Sequence, residues 1–198
     1  MNVVLVHGFG DTGRLFRRLW RHLEARGHLC QAPTLHPRDG ALGMEDLSGK
    51  LESFIRANVA RGAPVALVGF SMGAVVARHY LQARGGAGRA SAFFSIAGPH
   101  RGTLSAYFHG GAGVRQMRPG SAFLRDLQAG AGALRGLPVF TYRTPFDLMV
   151  VPSRSSRIAA APERVFWCPL HSMLPGHRPL MAHLAGELAR LEAREGPG

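Results

Sequence analysis

Short unbroken apolar runs alternate with stretches in which apolar residues return every three or four positions. Val3-Val4-Leu5-Val6 is the first such run; it ends in glycines, as expected of a strand buried on both faces. Leu15, Phe16, Leu19, Trp20 and Leu23 then recur at helical spacing, and Gly27 supplies a stop. A second short strand is predicted over 28–32, closed by Pro33, and a helix over 44–61 carries Leu47, Leu51, Phe54 and Ile55 on one face. Residues 64–70 form the clearest buried strand, running directly into a helix that bears Ala74, Val75, Ala77, Tyr80 and Leu81. Further strands are predicted over 92–97, 137–142 and 164–168, a closing helix over 179–194, and a frayed tail over 195–198.

Strand alternating with helix predicts a single α/β domain over 1–198, with a mostly parallel sheet of about six strands and helices on both faces. Right-handed crossovers carry the C-terminal end of every strand to one edge of that sheet. His7, Ser71, His100, Asp147 and His171 all follow a predicted strand, so all are expected at that edge. The glycine-rich stretch 101–136 interrupts the alternation and holds one good helix candidate, 121–129. It is expected to form a cap or lid above the site. No repeat or linker is evident.

Composition narrows the function classes. With 198 residues, 46% hydrophobic and 18% charged, the chain can bury a sizeable sheet in one compact domain. The net charge is +12, and Lys50 is the only lysine. The arginines are scattered, with no basic run and no aromatic-interleaved stripe, so a nucleic-acid partner is not expected. Transient contact with an anionic membrane surface suits the charge better. Cys30 and Cys168 lie in apolar stretches, where a free cysteine behaves as a small hydrophobe; whether they pair is left open. Neither their number nor their spacing suggests a metal site, and no cofactor is expected. The first residues lack a basic start, a long apolar segment and a cleavage site, so a cytoplasmic protein is the default, with a mature secreted form as the alternative. No apolar run approaches the roughly 18 residues of a membrane span.

The chemistry gathers around Gly69-Phe70-Ser71-Met72-Gly73, a Gly-x-Ser-x-Gly pattern between a predicted strand and a predicted helix. In such an elbow the serine sits on a sharp turn and projects above the sheet, while the glycines let neighbouring chain pass closely. Acyl transfer needs an oxyanion held by backbone N–H groups, each contributing on the order of 3 kcal/mol. Met72, just after the nucleophile, and Phe9, in His7-Gly8-Phe9-Gly10 after the first strand, are the candidates. A neutral serine hydroxyl requires a general base, and that base a carboxylate to fix its tautomer. Asp147 follows a strand, whereas its competitor Asp126 falls in a helix with a polar face. His171 lies beyond the last strand; His177, at the start of the final helix, and His183, within it, are the alternatives. His7 and His100 are expected to be structural, His100 because it precedes the carboxylate in the chain. An acyl pocket is expected from Leu104, Phe108, Met149, Val150 and Leu174, with Phe9, Phe70 and Tyr107 as further candidates.

These pieces, with Gly98-Pro99-His100-Arg101-Gly102-Thr103, the segment 115–121, Val151-Pro152 and His171-Ser172-Met173, span nearly the whole chain. In that order they resemble a small bacterial lipase or esterase of the α/β-hydrolase superfamily, in the branch related to triacylglycerol lipases. The resemblance implies an α/β-hydrolase fold, a triad of Ser71, Asp147 and His171, and an oxyanion hole from Phe9 and Met72. It implies a hydrolase acting on a small-molecule or lipid carboxylic ester. An amidase, thioesterase or acyltransferase using the same triad, and a non-catalytic binding module on the same scaffold, are the rival classes. The chain departs from larger relatives by its shortness. It lacks their leading antiparallel strands and the residues usually paired with a lipase calcium site, and it has Ala74 where many carry a second glycine. Oligomeric state is not legible.

Overall fold

A computed structural model of the chain describes residues 1–159 and 161–195; beyond Glu195, the tail expected to fray lies outside the described residues. Six strands make one sheet: β1 (Asn2–Val6), β2 (Leu29–Gln31), β3 (Val65–Phe70), β4 (Ala90–Ile96), β5 (Val139–Arg143) and β6 (Glu163–Val165). Their spatial order is β2-β1-β3-β4-β5-β6, and every pairing is parallel. All six residues of β3 are buried, as its continuous apolar run requires of a strand covered on both faces. β6 is shorter than predicted. Phe166 still donates its N–H to Arg143, but the N–H of Cys168 turns back to Phe166 and the chain leaves the sheet.

The helices are α1 (Arg17–Glu24), α2 (Met44–Asn58), α3 (Met72–Ala83), α4 (Ala112–Gln116), α5 (Ala122–Ala129) and α6 (Arg178–Glu195). On one face Leu19 and Leu23 of α1 and Leu180, Leu184 and Leu188 of α6 cover Val3, Leu5, Val68 and Phe94. On the other, Leu47, Leu51 and Ile55 of α2, Val75 and Tyr80 of α3, and Phe123, Leu124 and Leu127 of α5 cover Val4, Val6, Leu67 and Phe93. No helix among the described residues is long and apolar enough to cross a membrane.

The segment 101–136, expected as one cap, divides in two. α5 is a crossover helix in the core: Ser121 caps it by accepting from the Leu124 N–H at 3.2 Å, and Arg78 and Gln82 of α3 both donate to the Leu127 carbonyl, at 2.8 and 2.9 Å. The alternation of strand and helix therefore continues through it. Only the part before α5 reaches over the C-terminal edge of the sheet. That roof is pinned at several points. Gln116 accepts from the Met44 N–H at 2.7 Å and donates to Glu45, Gly113 bonds the Gly40 carbonyl at 3.0 Å, and Thr103 bonds the Met117 carbonyl at 2.9 Å. α4 escaped the hydrophobic pattern because Ala112-Gly113-Val114-Arg115-Gln116 offers one large apolar side chain.

Candidate active site

Because the strands are parallel, Ser71, Asp147 and His171 emerge at one edge, after β3, β5 and β6 respectively. Ser71 has φ 53° and ψ −124°, a left-handed backbone that a non-glycine residue adopts only under constraint. Close packing imposes it. A Cβ on Gly69 would stand 2.4 Å from the Ala74 Cα, and one on Gly73 would stand 2.2 Å from the Val6 carbonyl oxygen. Both positions of the elbow must be glycine for β3 to turn this sharply into α3. The Ser71 N–H is held by the Ile96 carbonyl at 2.9 Å.

Asp147 is 5% exposed, and its two oxygens are divided between two tasks. Oδ1 accepts the N–H groups of Met149 and Val150, at 2.9 and 2.7 Å, while Oδ2 faces His171 Nδ1 at 2.7 Å. The imidazole of His171 lies against the ring of Phe70, the residue before Ser71, centroid to centroid 4.7 Å. Among the described residues the Ser71 hydroxyl makes no hydrogen bond to His171 here; such contacts commonly tighten only with substrate in place. Asp126 is exposed on α5; His177 packs on Phe166, and His183 of α6 meets the Tyr142 hydroxyl. Neither histidine touches Asp147.

Met72 is the first residue of α3, so its N–H has no partner within the helix. The Phe9 N–H is likewise unbonded among the described residues, whereas Gly10 just after it is tied to the Arg38 carbonyl at 2.8 Å. A Cβ on Gly8 would meet the Ser71 Cβ at 3.1 Å, so the loop carrying Phe9 is pressed against the elbow. His7 holds this loop: one ring nitrogen meets the Gly8 carbonyl and the other accepts the Leu35 N–H, both at 2.8 Å. Those two bonds fit only a neutral ring, and burial lowers its pKa. His100 is fully buried, bonds Ser95 at 2.7 Å, and is held well below the usual imidazole range by burial and then by Arg78.

A cavity of about 40 Å³ opens at Ser71. Phe9 and His109 stand on one side, Met149 and Val150 on another, and Ala106, Val114 and Met117 belong to the roof. Of the expected pocket residues, Met149 and Val150 line it. Leu104 and Phe108 point out to solvent at the rim, 50% and 85% exposed. Leu174 is wholly buried in the core under α1 and α6, on the far side of the sheet from the roof, so it packs there and not in the cavity. Tyr107 is also exposed, under the Arg118 guanidinium, and Phe70 is core.

Two residues near the site were not anticipated. His109 packs against Phe9, ring centroids 5.4 Å apart and tilted by 48°, with no signal in its glycine-rich surroundings. Asp11 is half-buried beside Gly8; burial pushes its carboxyl up, opposed by the charges of His7, His171 and Arg38. Its adjacency to the His7–Gly10 loop was the one available hint. Among the described residues no three His, Cys, Asp or Glu side chains converge as metal ligands would.

The sequence matches the model of the alpha/beta hydrolase family over residues 3–194. No curated protein matches it. Among solved structures it is similar to the mature form of the lipase BlEst2 from Bacillus licheniformis, with a TM-score of 0.73 and 16% identity over 93% of this chain and 91% of that one. It is also similar to lipase B from Aspergillus fumigatus, at 0.71 and 16% over 93% and 51%, and to the methylesterase MES16 from Arabidopsis, at 0.64 and 14% over 96% and 99%. At such identities the likeness is one of fold.

Proposed function

Since the chain belongs to the alpha/beta hydrolase family, we propose that it is a serine hydrolase that cleaves carboxylic esters of short acyl groups. One observation carries this reading: a strained serine whose neighbouring ring seats an imidazole that is itself bonded to a buried carboxylate at 2.7 Å. Ser71 is the nucleophile. His171 Nε2 takes the hydroxyl proton as Oγ attacks the ester carbonyl, and the oxyanion is received by the N–H groups of Phe9 and Met72. Asp147 keeps the proton of the neutral ring on Nδ1 and stabilises the imidazolium. That imidazolium then protonates the departing alkoxide, leaving an acyl-Ser71 ester. Water, deprotonated by the same ring, attacks the acyl carbon and releases the acid.

The names of similar structures, lipase and methylesterase, favour an ester over an amide. The cavity at Ser71 is small, which favours a short acyl group. Its surroundings are apolar. Leu104, Tyr107 and Phe108 after β4, Phe146, Leu148 and Met149 after β5, and Trp167, Leu170 and Met173 after β6 are all exposed. The segments that carry them hold five arginines (101, 115, 118, 154 and 157) against one acid, Asp147. Transient contact with an anionic lipid surface is part of the proposal. A chain-length series of nitrophenyl esters tests it: kcat/KM should peak between acetyl and butyryl. Activity only on long acyl chains, or none on any ester, would overturn the assignment.

A further inference from the structure

The cavity at Ser71 is far smaller than a groove lined by the turn that follows His171. Its nearer part, about 550 Å³, is lined by Leu15, Arg18, Ser172, Met173, His177 and Arg178, among others. It adjoins a second hollow of about 480 Å³ that shares Arg18, Gly176 and Arg178 and adds Arg21. One wall is α1 with the turn before it, directly downstream of the loop that carries Phe9. The other is the turn His171–Gly176 and the start of α6. The groove therefore begins at Ser172, the residue that follows the imidazole proposed to protonate the leaving group.

Its chemistry is one-sided. Arg18 and Arg21 stand three apart on the same face of α1, and Arg178 opens α6 opposite them. Neither hollow has an aspartate or glutamate in its lining. Among the described residues four arginines face an acid, Arg84 with Glu52 and Arg143 with Glu163 at 3.1 Å, Arg157 with Glu163 at 3.6 Å, and Arg190 with Glu187; Arg18, Arg21 and Arg178 are not among them. The stem of Arg18 passes close to Gly176, its Cδ 3.3 Å from where a Cβ there would stand. Leu15 and Met173 add apolar side chains to the same lining as Arg18 and Arg178.

We infer that this groove is the leaving-group subsite and that it takes an alcohol or thiol bearing a phosphate. Guanidinium forks match phosphate oxygens two at a time, and three of them gathered without a carboxylate suit a phosphate better than a single carboxylate. The inference rests on the ester-hydrolase assignment above and deepens it. The phosphate is carried either by a soluble phospho-alcohol or by a phospholipid headgroup.

The test compares butyryl glycerol with butyryl glycerol 3-phosphate in solution, and dioleoylphosphatidylcholine vesicles carrying either a butyryl diglyceride or a 2-butyryl phosphatidylglycerol. The phosphate-bearing ester should be favoured in kcat/KM by about tenfold, the size of one good charge-assisted contact. A preference in solution assigns a soluble substrate; one in vesicles alone assigns a headgroup. The Arg18→Gln, Arg178→Gln double variant should bring the ratio to about one, and Arg18→Lys should keep part of it. A preference missing in both formats, or unchanged in the double variant, would overturn the inference while hydrolysis of the neutral ester left the ester assignment standing. Were no ester cleaved, calorimetric titration of glycerol 3-phosphate into wild type and double variant would decide the groove alone: binding lost in the variant supports it, and no binding to wild type refutes it.

Discussion

Asp147→Asn isolates one proton at the proposed site while leaving shape unchanged. Two backbone N–H groups, of Met149 and Val150, converge on Oδ1 at 2.9 and 2.7 Å. In the variant they hold the amide oxygen at that place, because turning the NH2 group toward them would set donor against donor. The amide NH2 then faces His171 Nδ1, where Oδ2 stood at 2.7 Å. It can bond that nitrogen only as an acceptor, which forces the ring proton onto Nε2 and removes the lone pair needed to deprotonate Ser71. Reversing the amide forfeits two hydrogen bonds of about 1 to 1.5 kcal/mol each, so the productive orientation should be populated at no more than a few per cent. Loss of the imidazolium's charge partner adds to this, and kcat is expected to fall between about 10²-fold and 10⁴-fold; the upper figure is the known effect of the equivalent change in a serine protease. Initial rates on nitrophenyl butyrate, with a thermal melt on the same sample, make the measurement. A variant that melts within a few degrees of wild type yet keeps a tenth of its kcat would refute the assignment of Asp147.

Other expectations concern stability and surface. Gly73→Ala would push a methyl to 2.2 Å from the Val6 carbonyl and should destabilise by about 3 kcal/mol, lowering Tm by roughly 6–12 °C. Gly186→Ala, in α6 with open space around it, should raise Tm by about 2–4 °C, and equal effects of the two would contradict the packing described. Burial holds His100 neutral in the fold, whereas the unfolded chain protonates it below about pH 6.5; its contribution is complete above that value and is lost as pH falls, about 1.4 kcal/mol by pH 5.5. Tm should drop accordingly on acidification, and His100→Leu with Ser95→Ala should flatten that drop; an equally steep fall in the double variant would refute the attribution. Trp167→Ser with Leu148→Ser should weaken co-sedimentation with phosphatidylglycerol vesicles several-fold and leave hydrolysis of a soluble ester within about twofold. Unchanged sedimentation would remove the rim from the proposal.

Much of the architecture was written in periodicity. Val65 to Phe70 could be apolar throughout only if covered on both faces, and once the sheet was parallel, chain direction alone brought Ser71, Asp147 and His171 to one edge. The glycine-rich stretch failed for a physical reason. With few large apolar side chains from Arg101 to Gly120, it displays no period, so the split between a pinned roof and a crossover helix was invisible. Leu174 was misplaced because a leucine beside a site and a leucine under a sheet look alike in sequence; only the turn at His171–Gly176 decides which way it faces. The arginine groove had no local signal either. It is assembled by residues 18, 21 and 178, which meet only because α1 and α6 share one face of the sheet.

The most direct test is the covalent chemistry of the serine. Intact-mass and peptide analysis after exposure to a fluorophosphonate should find one adduct, on Ser71, with no mass gain in Ser71→Ala and much slower gain in His171→Ala. Equal labelling of wild type and Ser71→Ala, or an adduct at any other residue, would mean that this elbow is not where the protein attacks its substrate.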